Sequence, residues 1–146
     1  MTAPYLPIGP LLDKDGRVSC ILRATVTPFH AQVLVTTSPD AEHPQWTSGD
    51  EAAVASATAI AVATEPDIDG DNQNRVVVEV LVDESPSEGT EVFTGSLLVS
   101  SWGVALGDTV STERHRAALP AGEYGVTIHV EPTANPGRIW VVLTSA

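Results

Sequence analysis

Short runs of β-branched and aliphatic residues, each closed within about ten positions by glycine, proline or another turn-forming residue, most restrict what this chain can fold into. They include "RVSCILRATV" (17–26), "AQVLVTT" (31–37), "RVVVEVLVDE" (75–84), "YGVTIHV" (124–130) and "RIWVVLTS" (138–145). Further strands are expected from Thr58 to Thr64, from Glu91 to about Ser101, and near Thr112 to Leu119. The 11 glycines and 11 prolines are spread along the chain, so they punctuate many short elements instead of marking one linker. At 146 residues the chain suits one domain with its own core. The expectation is an antiparallel β-sandwich of about eight or nine short strands, with residues 1–12 as an extended N-terminal arm.

Two local readings accompany this. Ser48 followed three residues later by Glu51 has the spacing of a helix capping box, and the alanines that follow favour a short helix near residues 49–55. Thr58–Thr64 and Arg75–Val82 read as a hairpin whose long tip is "TEPDIDGDNQNR" (64–75).

Charge narrows the function. Thirteen acids and one base, Arg75, lie between Asp40 and Glu91, against six of each elsewhere, so the whole net charge of -12 belongs to the middle of the chain. This argues against direct binding to nucleic acid or anionic membranes, and for either solvent or a basic protein partner. No apolar run approaches the length of a membrane span, and the N-terminus has no leader pattern, which suggests a soluble, cytoplasmic protein. The single cysteine, Cys20, lies in an apolar run and reads as a packed thiol.

The aspartates Asp67, Asp69 and Asp71 are the densest acidic point. As a calcium loop they supply oxygens at positions 1, 3 and 5, but position 8 is Asn74, position 12 is Val78, and Glu79 comes one residue late. A turn needs only the Asp, Gly and Asn that are present. Calcium stays a minor alternative, and no cofactor or metal is expected. The four histidines lack zinc-ligand spacing, the serines lie in no nucleophile elbow, and one lysine gives no phosphate cradle. Enzymatic activity is not expected. Of the tryptophans, Trp140 should be core, whereas Trp102 could be core or an exposed anchor.

The order of "PFH" (28–30), "QWTSGDEAAVASA" (45–57) and "LPAGEY" (119–124) resembles the competence protein J family, over about Thr25 to Ile128. What the resemblance implies is a small acidic β-domain that binds and inhibits a DNA-entry nuclease, whose basic, phosphate-shaped cleft carboxylates could occupy. It assigns no individual contacts. Charge placement singles out Asp67, Asp69, Asp71, Asp83, Glu84 and Glu88 as partner-binding residues. The rival expectation is a structural or assembly sandwich, including a homo-oligomer, in which acidity serves solubility.

Overall fold

A computed structural model describes residues 11–12, 18–26, 32–48, 51–64, 75–86, 88–107, 115–133 and 136–145. Among them are eleven strands: β1 (Leu11–Leu12), β2 (Val18–Val26), β3 (Gln32–Thr36), β4 (Ala53–Ala55), β5 (Ala59–Ala63), β6 (Val76–Val82), β7 (Thr90–Val99), β8 (Val104–Gly107), β9 (His115–Ala117), β10 (Gly122–Glu131) and β11 (Arg138–Ser145). They form a six-stranded sheet, β1-β2-β6-β11-β10-β7, and a five-stranded sheet, β4-β5-β3-β8-β9. The fold is the expected all-β sandwich, with three strands beyond those the sequence suggested: β1 and β4, only two and three residues long, and β8, which follows Gly103. All pairings are antiparallel except β6 with β11.

Strand alternation builds the core. Val76, Val78 and Val80 of β6, Val126, Ile128 and Val130 of β10, and Ile139, Val141 and Leu143 of β11 turn one face of the larger sheet inward. Val33 and Val35 of β3, Ile60 and Val62 of β5, and Val104 and Leu106 of β8 answer from the smaller sheet. Thr37, fully buried, ties the sheets together at one corner. Its hydroxyl donates to the Leu98 carbonyl at 2.6 Å, and the Ser100 hydroxyl donates to the Thr37 carbonyl at 3.0 Å. Thr37→Val keeps the shape and orphans the Leu98 acceptor, so it should lower unfolding free energy by about 1–3 kcal/mol in a denaturant titration. A change below about 0.5 kcal/mol would mean that the corner bond contributes nothing net.

"LPAGEY" folds as a tyrosine corner: Leu119 is buried, and the Tyr124 hydroxyl donates back to the Pro120 carbonyl at 2.7 Å. In the β10–β11 hairpin Glu131 stands opposite Arg138 and its carbonyl accepts from the Gly137 amide at 3.1 Å, while the first half of the expected "ANPG" turn lies outside the described residues.

Two expectations are corrected. No helix forms at residues 51–55: Ala53, Val54 and Ala55 instead pair with Val62, Ala61 and Ile60 of β5. The Ser48–Glu51 signal is nonetheless used. The Glu51 carboxylate accepts from the Thr47 amide at 2.8 Å, from the Thr47 hydroxyl, and from the Ser48 amide at 3.2 Å. The Thr47 bonds, side chain first, hold its pKa well below the usual carboxylate range. These bonds shape a loop, and helix preference of a few tenths of a kcal/mol per alanine loses to ladder pairing on an open sheet edge. The second correction concerns β5 and β6, which make no hairpin. β5 sits between β4 and β3, whereas β6 sits between β2 and β11 in the other sheet. Residues 64–75 therefore join the two sheets. Likewise β2 and β3, on either side of "TPFH", belong to different sheets.

Candidate functional site

The connection from β6 to β7 organises the outer face of the larger sheet. β6 is parallel to β11, and β10 is antiparallel to both β11 and β7, so β6 and β7 run the same way with two strands between them. The chain leaves β6 at Val82, level with Leu143, and starts β7 at Thr90, on the rung of Val130, Ile139 and Val78. It must travel about 13 Å back and about 14 Å across the sheet, a diagonal of roughly 20 Å. The intervening residues can span about 27 Å when extended, so they cross the sheet's outer face as a strap with little slack. Such crossovers usually carry a helix of a dozen residues or more.

The strap explains where Trp140 lies. It is 4% exposed, as a core residue would be, yet it points to the outer face, where it clusters with Cys20, Leu81 and Val142. Gly89 lies against it: a Cβ there would stand 2.6 Å from the indole, and the backbone has φ +88. The Arg138 guanidinium stacks on the indole at 4.6 Å and reaches Glu88 at 2.8 Å. Burial, with Glu79 beside it, raises the Cys20 thiol pKa, which keeps the thiol protonated.

The three predicted acidic residues of the strap have different roles. Asp83, at φ 56, accepts from the Ser145 amide at 3.1 Å and from its hydroxyl, which anchors the start of the strap to the end of β11. Glu88 anchors the other end through Arg138. Glu84 is exposed and has no ion-pair or hydrogen-bond partner among the described residues. Asp67, Asp69 and Asp71 lie outside the described residues. Their segment joins β6 at its first residue and the strap leaves from its last, and the seven residues between rise roughly 20 Å. Asp83 and Glu84 thus lie at the far end of β6 from where the aspartate segment joins it, whereas Glu88 is back beside Arg138, which pairs with Val77 next to the first residue of β6.

Between strap and sheet is a cleft of about 360 Å³, lined by Arg23, Glu79, Leu81 and Trp140 below and by Glu84, Ser85, Pro86, Glu88 and Arg138 around it. Arg23 and Glu79 sit opposite each other on β2 and β6 and form an ion pair at 2.6 Å. The sequence held one signal of this site: Glu79 and Arg23 are lone charges inside apolar strands, which marks an outward-facing position. Strand alternation showed that each faces out, but their pairing depends on β2 and β6 being neighbours.

Elsewhere, Trp102 is half-buried under the Arg116 guanidinium at 4.9 Å, and Trp46 packs on Leu34, Ala59 and Ala61 of the smaller sheet's outer face. Among the described residues no three His, Cys, Asp or Glu side chains gather as a metal-holding group. No helix among them is long and apolar enough to cross a membrane.

The fold is similar to two solved structures. One is ComJ from Bacillus subtilis, an inhibitor of the DNA degrading activity of NucA, with a TM-score of 0.63 and 15% identity over 87% of this chain and 98% of ComJ. The other is the product of crocagin biosynthetic gene J, with a TM-score of 0.55 and 10% identity over 87% of this chain and 97% of that one. No family model matches the sequence, and no curated protein matches it significantly. At these identities the likeness establishes a ComJ-like fold.

Proposed function

We propose that this chain is a non-enzymatic, cytoplasmic binding protein that neutralises a basic partner, namely a nuclease. The observation that carries the reading is the fold shared with ComJ over 87% of this chain and 98% of that one. Charge supports it independently: a net -12 concentrated between Asp40 and Glu91 suits a phosphate-binding cleft and repels nucleic acid itself. The segment of Asp67, Asp69 and Asp71 steers encounter, while the strap of Asp83, Glu84 and Glu88 presents the second acidic surface.

Capture from a native lysate at low salt should recover a basic nuclease whose DNA degradation stops at equimolar inhibitor. Replacing Asp67, Asp69 and Asp71 together by serine should slow association about tenfold at low salt, with the difference shrinking at high salt. A stoichiometric homo-oligomer that captures no nuclease would falsify the reading and favour a structural module.

A further inference from the structure

We propose that the cleft under the strap receives one lysine or arginine side chain of a partner protein, with Glu84 as its counter-charge. This rests on the binding reading above and adds which part of the sandwich anchors the partner and what chemistry it accepts.

The argument begins with which charges are already committed. Arg23 is paired with Glu79 at 2.6 Å, and Arg138 with Glu88 at 2.8 Å. Of the five charged residues lining the cleft, this leaves Glu84 with its charge unspent, so the cleft carries a net negative charge. An anion would meet an excess of carboxylate, while a cation would meet an unpaired one. Below the charges the apolar residues are covered, so what a guest reaches is mostly polar. Leu81 is 8% exposed and Trp140 4%, and Pro86 lines the rim. A guest that presents a cationic head to Glu84 and rests its aliphatic stem against Pro86 at the rim suits this lining, and lysine and arginine are the side chains with that form. The cleft already holds one such arrangement: Arg138 lies on the Trp140 ring with its guanidinium bonded to Glu88. The strap also arrives pre-ordered, because Asp83 and Glu88 fix its two ends, so little ordering cost falls on binding.

The test uses capped peptides as probes: acetyl-Ala-Arg-Ala-amide, its lysine counterpart, and acetyl-Ala-Glu-Ala-amide as the anionic control. Each is titrated into the isotope-labelled full chain. The cationic peptides should shift the amides of Leu81, Glu84, Ser85 and Glu88 and the Trp140 indole saturably, and the glutamate peptide should not. E84R should weaken the cationic peptides about tenfold or more while the free-state Trp140 indole resonance stays in place, which shows that the strap is intact. Shifts spread evenly over the acidic surface, equal binding by E84R, or equal binding of the glutamate peptide would each overturn the proposal. Captured nuclease separates the two readings. A nuclease held as tightly by E84R as by the unaltered chain refutes the cleft and leaves inhibition standing. Cleft-specific peptide binding without any nuclease supports the cleft and removes the nuclease reading.

Discussion

Trp140→Ala is expected to lower unfolding free energy by about 3–5 kcal/mol, a large part of the roughly 5–15 kcal/mol typical of a domain. The indole is 4% exposed, and it joins three otherwise separate features of the outer face. It is the floor for Gly89, the stacking surface for Arg138, and the centre of the cluster with Cys20, Leu81 and Val142. Alanine leaves a cavity beneath a strap with too little slack to fill it, so the full truncation cost should appear. The loss should also be visible locally. Amides of residues 84–89 should exchange faster in the variant than in the parent, relative to the inter-sheet core around Val78 and Val141. Trp140→Phe, which keeps an aromatic face under Arg138, should cost less than half as much. Denaturant titration with hydrogen exchange decides it: a loss under about 1 kcal/mol, or unchanged strap exchange, would show that the strap holds itself without the indole.

Gly103→Ala should be comparably severe, at about 3 kcal/mol or more, for a backbone reason. Gly103 has φ +94, a conformation that alone costs a substituted residue about 1–3 kcal/mol. The added methyl would also collide with the carbonyl oxygen of Ala117, which belongs to the β8–β9 ladder where Val104 pairs with Ala117. Backbone cannot rotate away as a side chain can, so β9 must shift and loosen the edge of the smaller sheet. Gly122→Ala is the control, since it too has a positive φ, +152, but nothing lies within 4 Å of its would-be Cβ. Thermal melts should therefore rank Gly103→Ala well below Gly122→Ala. Equal melting temperatures would mean that the collision is relieved at no cost and that only backbone strain matters.

Much of the fold was legible because its causes are local. Val76 to Val82 and Arg138 to Ser145 announce strands through β-branched residues, and their alternation says which side chains face in. "LPAGEY" announced its turn through proline and glycine, although the hydroxyl bond from Tyr124 to Pro120 that makes it a corner needed the structure. The Ser48–Glu51 pair was a true capping signal that serves a loop, because a carboxylate can satisfy amides three and four residues back whether or not a helix follows. The β5–β6 hairpin failed for a different reason. A two-residue turn dictates that its flanking strands pair, whereas a connection of ten or more residues leaves the next strand free to join either sheet.

The candidate site divides along the same line. By itself the amino-acid sequence determined the longer strands, the alternation of faces along them, and the concentration of negative charge between Asp40 and Glu91. These follow from backbone sterics, side-chain alternation and proton binding at each residue, and they do not depend on which strands become neighbours. Only the tertiary structure decided that Asp83 and Glu88 are anchors, that Glu84 remains unspent, and that Trp140 is buried outside the main core. Those outcomes depend on β6 and β7 running the same way with two strands between them, which forces the chain that joins them across the sheet. A strand's own residues set its faces, but which strands stand beside it is settled by the packing of the whole sandwich.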